Sequence, residues 1–349
     1  MTGQLRLEVD LRHYCRDCPL EAICQDRQVL PCQPHFGDHR YGGPNVMHGV
    51  RPDLADYMRE VGGGGLGDVG VLRRPTARLP LLTPRVRARR SLRGQLHRDF
   101  YAVGPDQVIA GRRSVLAADD LREILDLRAD QRLVLTLFGA DPLMEILWAQ
   151  RRRIVTQISE AGYELVTPPS FSSRPNHPPA EFLYNLKRSF AFFSLLQWAG
   201  VPTAPRLAWL CEADADRIAG WAGTQAGLEL VAMDLAVKQP AEWRRQVELL
   251  RRFDRQTGHR FRFLIHGPAV ETRLEELFSI LGVRLHLTGS GAIARPYALA
   301  GRYASFVEEE ELIAERARAG IVTSTADRGQ GSIAASEASG PGTVGRLAA

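Results

Sequence analysis

Four of the five cysteines, Cys15, Cys18, Cys24 and Cys32, lie within 18 residues in the pattern C-x2-C-x5-C-x7-C, with Pro19 directly after the second. Thiolates this close in sequence can surround one ion or cluster without long-range folding. A structural zinc site more often brings two C-x2-C knuckles, and this chain has one. Four thiolates on a short irregular loop fit a [4Fe–4S] cluster better, with zinc as the alternative. His13, His35, His39 and His48 flank the loop, and nothing singles one of them out as a ligand. Cys211 stands apart and reads as a small buried hydrophobe.

Acid/base candidates are scattered through the middle of the chain. His266 ends an apolar run before Gly267-Pro268 and is the best single candidate for a general base. Asp234 and Lys238 leave another apolar run together, so a carboxylate and an amine there suit proton transfer; a surface ion pair is the plain alternative. Asp141 precedes Pro142, which also suits a helix start. Glu181, Asn185 and Arg188 recur at i, i+4 and i+7, so they share one helix face. With Ser170 and Ser172 just upstream, Asn185 and Arg188 are site candidates. The glycines of Thr288-Gly289-Ser290-Gly291 let backbone N–H groups approach an anion, with Arg295 near enough to add charge; the alternative is a tight turn.

The net charge of +5 is an average over unequal segments. Residues 73–98 hold nine arginines and no acid, among them Arg85, Arg87, Arg89, Arg90 and Arg93, which leaves the remainder of the chain slightly acidic. Prolines 75, 80 and 84 forbid a regular helix through the first half of this tract. An extended basic arm can track a phosphate backbone, and nucleic acid is the expected partner. Without interleaved aromatics it cannot stack bases.

Elements that would position these groups follow from periodicity. Apolar runs occur at Gln107–Ala110, Arg132–Phe138, Glu164–Thr167, Arg206–Leu210, Leu228–Met233, Phe261–Ile265 and Val283–Leu287, with Leu66–Leu72 as an eighth candidate. Most are apolar on both faces, as strands of a covered parallel sheet are. Helical patterns alternate with them at Asp119–Leu127, Leu143–Ala161, Ala180–Ala199, Asp214–Ala226, Ala241–Thr257 and Val270–Leu281. Glycines 162, 200, 227, 258 and 282 follow as C-caps. Repeated βα units predict an α/β fold, a TIM-like barrel, complete or not, in preference to an open doubly wound sheet. In such a barrel the strand tips listed above gather on one face.

The 349 residues then divide into a cysteine segment (1–60), a Gly-rich and then Arg-rich arm (61–100), a barrel-like domain (101–323) and a Gly/Ser/Ala-rich tail (324–349) expected to be disordered. No run of 18 uncharged apolar residues exists and the first residues lack an apolar core, so the sequence predicts a cytoplasmic protein without a membrane span.

Two resemblances add to this reading. The run TPPSFS (167–172), then YNLKRSF (184–190), then AGVPTAPRLAW (199–209) resembles a family of uncharacterised bacterial and phage proteins through Pro169, Phe171, Ser172, Asn185, Arg188, Gly200, Pro205 and Trp209. It implies a barrel-like α/β domain and no particular reaction. The cysteine loop resembles auxiliary-cluster motifs of radical enzymes and of iron–sulfur nucleases, without the C-x3-C-x2-C loop that binds S-adenosylmethionine. Two functions from different classes are consistent with all of this. One is a metal-containing barrel enzyme acting on a phosphate-containing or nucleic-acid-linked substrate; the other is a non-catalytic nucleic-acid-binding protein stapled by its metal.

Overall fold

The computed structural model describes residues 60–63, 65–72, 77–86, 92–94, 96–110, 114–172, 179–236, 239–267, 271–289, 312, 314–316, 318 and 319. Eight parallel strands form one sheet: β1 (Leu82–Val86), β2 (Phe100–Val103), β3 (Arg132–Thr136), β4 (Leu165–Thr167), β5 (Arg206–Leu207), β6 (Leu230–Asp234), β7 (Arg262–His266) and β8 (Leu285–Gly289). Their order in space is β4-β3-β2-β1-β8-β7-β6-β5, a ring cut between β4 and β5. A parallel bridge between Val166 and Thr203 spans the cut. There Val166 N donates to Pro202 O (2.9 Å), while Ala204 N (3.2 Å) and the Thr203 hydroxyl (2.7 Å) donate to Val166 O. The predicted TIM-like barrel is therefore present and nearly closed.

Helices α1 (Ala118–Leu125), α2 (Asp141–Ala149), α3 (Arg151–Glu160), α4 (Pro179–Trp198), α5 (Glu212–Thr224), α6 (Pro240–Gln256) and α7 (Glu271–Leu281) connect the strands from β2 onward. Strand alternation explains why the runs are apolar on both sides. Tyr101 and Val103, Leu133 and Leu135, Val231 and Met233, Phe263 and Ile265 join the large core between barrel and helices. Their neighbours Ala102, Val134, Leu165, Ala204, Leu230, Ala232 and Leu264 form a separate, smaller core inside the barrel. Three alanines in that set fit the narrow lumen of an eight-stranded barrel. Nearer the C-terminal ends the same inward phase delivers Arg85, Thr136, Arg206, Asp234, His266 and Thr288, with Phe138 as the apolar member among them.

Several expected elements are corrected. The first two barrel strands are β1, inside the segment read as an arm, and β2, at its boundary with the barrel-like domain, and not Gln107–Ala110. That run instead follows Gly104-Pro105 into a four-residue helix, Pro105–Val108, because proline suits the first helical turn. Ile109–Ala110 then pairs antiparallel with Ser114–Val115 outside the barrel. Leu66–Leu72 is no strand but an irregular strap over α4 and α5. Trp221 Nε1 donates to Val69 O (2.8 Å), while Val71 N and Leu72 N donate to Gln225 and Gln197 side chains (3.0 Å each). The buried Lys187 ammonium reaches Gly65 O and the Asp68 carboxylate. The helix expected over Leu143–Ala161 is two helices broken at Gln150. Glycines 162, 200, 258 and 282 have positive φ as expected of C-caps; Gly227 does not, because α5 ends earlier, at Thr224.

Candidate active site

The C-terminal rim of the barrel can be read strand by strand. Arg85 on β1 extends across the position after β2, where a Cβ on Gly104 would lie 1.7 Å from Arg85 Nη2 and 2.6 Å from Asp106 Oδ1. Glycine is therefore what lets the guanidinium pass and pair with Asp106 (3.3 Å). The same Nη2 donates to Phe138 O (3.4 Å) beyond β3. The Phe138 ring stands 5.5 Å from the His266 imidazole, centroid to centroid.

Asp234 and His266 are register partners on β6 and β7. The chain beyond them is drawn together at Gly267, whose φ is +134° and where a Cβ would lie 2.5 Å from Ala236 N. Leu235 N donates to His266 O (2.7 Å) across the same contact, and Asp234 Oδ1 accepts from Ala236 N (3.1 Å). His266 Nδ1 lies 3.1 Å from Thr288 Oγ1, which also faces Ile265 O at 3.5 Å. With the threonine hydrogen on that carbonyl, Nδ1 carries the ring proton and Nε2 is the acceptor. Burial pushes the His266 pKa down; the Asp234 carboxylate opposes this and the Arg85 charge adds to it. The imidazole is thus neutral near pH 7 and suited to accept a proton.

Arg206 is the remaining inward charge. Its residue is 9% exposed, and among the described residues its guanidinium makes no hydrogen bond or ion pair; Nε is buried without a partner. Burial pulls its pKa below the usual arginine value, while the Asp234 and Asp141 carboxylates pull it back. A desolvated ion with no hydrogen-bonded counter-charge costs several kcal/mol, so this group is the least self-sufficient on the rim. Neither Arg206 nor Asp106 was among the sequence candidates. The available signal was an arginine immediately after Pro205, where the strand pattern calls for an apolar residue.

The N-x-x-R motif lies behind the rim, between barrel and helices. Arg188, fully buried, pairs with both oxygens of Glu145 (2.9 and 2.8 Å) and stacks 3.9 Å from the Phe171 ring. Asn185 receives its other amine donor and itself donates to Ser172 O (2.8 Å). Ser172 N in turn donates to Asp141 Oδ1 (3.3 Å). Asn185 and Arg188, expected as catalytic residues, thus hold the loop after β4 and, through Ser172, reach Asp141. Ser170 is buried, with its backbone N–H on Leu137 O (3.0 Å).

Other expected groups divide. Thr288 serves His266, and Gly289 ends β8. Lys238, Ser290, Gly291 and Arg295 lie outside the described residues, as do Arg87, Arg89 and Arg90 and Cys15, Cys18, Cys24 and Cys32. Arg85 and Arg93 are not members of a free arm. Arg85 belongs to the rim, and Arg93 donates to Glu123 O (2.8 Å) and Ile124 O (3.1 Å), capping the end of α1. A cavity of about 200 Å³ lies at the other, N-terminal end of β8, lined by Leu79, Leu81, Phe278, Val283, His286 and Arg318 among others. It is remote from the rim that gathers the reactive groups.

No protein-family model and no curated protein matches the chain. Solved structures similar to it include a mandelate oxidase variant with a monooxide FMN adduct (14% identity, 89% of this chain and 93% of that chain, TM-score 0.41). Another is a mandelate oxidase variant with 4-Br-2-hydroxy-methylphenylacetate (13%, 89% and 98%, TM-score 0.39). The expected [4Fe–4S] cluster, or zinc, is withdrawn: the first of these structures is described with an FMN adduct, and Cys15, Cys18, Cys24 and Cys32 lie outside the described residues. Among the described residues no group of three or more His, Cys, Asp or Glu can hold a metal ion. No helix among them is long and apolar enough to cross a membrane.

Proposed function

We propose that the protein is an α/β-barrel enzyme that binds a small substrate through an anionic group at Arg206 and transfers a proton with His266. The observation that carries this reading is the buried Arg206 guanidinium without a direct partner at the end of the barrel where such folds do chemistry. An anionic oxygen pair supplies the bidentate counter-charge that the described residues do not. His266, neutral and held by Thr288, is the proton acceptor; Asp234 beside it favours the imidazolium that forms, and Phe138 shields the ring. Arg85, already paired with Asp106, places a second positive field near developing negative charge.

Thermal denaturation with small carboxylates or inorganic phosphate tests the reading. The wild-type melting temperature is expected to rise with the concentration of a bound anion, as ligand linkage requires, and Arg206→Met is expected to abolish the rise. Equal responses in the two proteins, or no response to any anion in the wild type, would overturn it.

A further inference from the structure

The rim contains more than one unsatisfied charge. Set aside Arg85 and Asp106, which pair with each other. Among the described residues the remaining rim charges are Arg206, Asp234 and Asp141, with His266 neutral through burial. Both carboxylates act on Arg206 through space, yet no ion pair within 4.0 Å joins either of them to it among the described residues. Each accepts one backbone N–H, Asp234 from Ala236 and Asp141 from Ser172, and neither makes an ion pair among the described residues. Among the described residues the rim is therefore a cation and two anions held apart, with a net negative balance.

This arrangement discriminates among anions. A simple carboxylate satisfies Arg206 and adds a second uncompensated negative charge beside Asp234. A phosphate dianion is worse, because it brings two. A molecule with an ammonium next to its carboxylate meets both demands, placing the carboxylate on Arg206 and the ammonium toward Asp234, with the net charge of the rim unchanged. Asp234 is the better ammonium partner because it is the register neighbour of His266, so the ammonium and its adjoining carbon lie beside the proton acceptor.

We infer that the substrate is a zwitterionic α-amino carboxylate, held between Arg206 and Asp234 on the neighbouring strands β5 and β6 at the barrel mouth. This rests on the proposed anion site at Arg206 and adds the cationic half of the ligand. The carboxylate supplies the direct partner that the buried guanidinium lacks, and the ammonium neutralises the field that would otherwise repel an anion.

Isothermal titration with alanine, lactate, propionate and inorganic phosphate tests it, using the full chain. Alanine is expected to bind at least tenfold more tightly than lactate, which differs only in carrying a hydroxyl for the ammonium. Asp234→Asn is expected to reverse the order, weakening alanine and strengthening lactate and propionate, because the repelling carboxylate is gone. Arg206→Met is expected to lose all four. If lactate, propionate or phosphate binds as well as alanine in the wild type and Asp234→Asn changes nothing, the zwitterion assignment is wrong while the anion site stands. If none of the four binds, or Arg206→Met binds them unchanged, the anion site itself is wrong.

Discussion

Arg206 concentrates the relation between stability and function in one side chain. Burying an unpaired guanidinium opposes folding, and replacing buried charge by an apolar chain of similar length is neutral or stabilising, by about 1–4 kcal/mol for whole ion pairs. Arg206→Met is thus expected to melt no lower than wild type, and higher by calorimetry, while losing anion binding. A lower melting temperature would mean that the guanidinium is a structural tie. His266 makes a second prediction at this scale. Its folded pKa is depressed by burial, and so is that of His286. Below the ordinary histidine value of about 6.5 the unfolded chain binds protons that the folded chain refuses, so stability falls as pH falls through that value. The loss ends once pH passes below the depressed folded value. His266→Gln is expected to flatten the slope of unfolding free energy against pH below about 6.5; an unchanged slope would show that the imidazole is solvated.

At the scale of elements, the rim depends on loops tied from behind. Glu145 on α2 and Arg188 on α4 form a buried pair beneath the loop after β4. Removing one partner of such a pair costs about 3–5 kcal/mol. Glu145→Gln is expected to lower stability on that order in urea denaturation, and to weaken substrate binding indirectly by freeing Ser172 and Asp141. A cost below about 1 kcal/mol would place the pair in the range of exposed salt bridges. Gly104→Ala tests the other side of the rim: its Cβ falls on Arg85 Nη2, so the guanidinium must leave Asp106. Overpacking of this kind costs about 1–3 kcal/mol, and Gly104→Ala is expected to show it while Gly220→Ala, with open space around it, does not.

For the whole molecule, the barrel is an apolar tube whose polar residues are confined to its ends. How far this was legible in the sequence depended on where each strand's pattern came from. β3, β6, β7 and β8 are buried on both faces and read as continuous apolar runs. β1 was hidden, because Pro84 and Arg85 inside LTPRV resemble the arginine tract around them, and only the ring closure with β8 and β2 makes them a strand. β5 is two residues long, and its Arg206 is an inward charge that periodicity reads as an interruption. His266 and Asp234 were found because strand tips in a barrel are a small set. Arg206 was not, because its role comes from what fails to pair with it among the described residues, and Asp106 was not, because its partner Arg85 reaches it from another strand; both are three-dimensional properties. Asn185 and Arg188 were noticed as a polar helix face, but spacing along one helix does not say whether that face meets substrate or a buried glutamate.

The central claim is that Arg206 at the barrel mouth is the anchor of the substrate's anionic group. A crystal structure of the protein grown with alanine tests it most directly. Density for the ligand is expected at the C-terminal rim, its carboxylate in two-point contact with the Arg206 guanidinium and its ammonium toward Asp234. Density only in the cavity at the N-terminal end of β8, or an Arg206 directly paired with Asp141 or Asp234 and untouched by ligand, would contradict it.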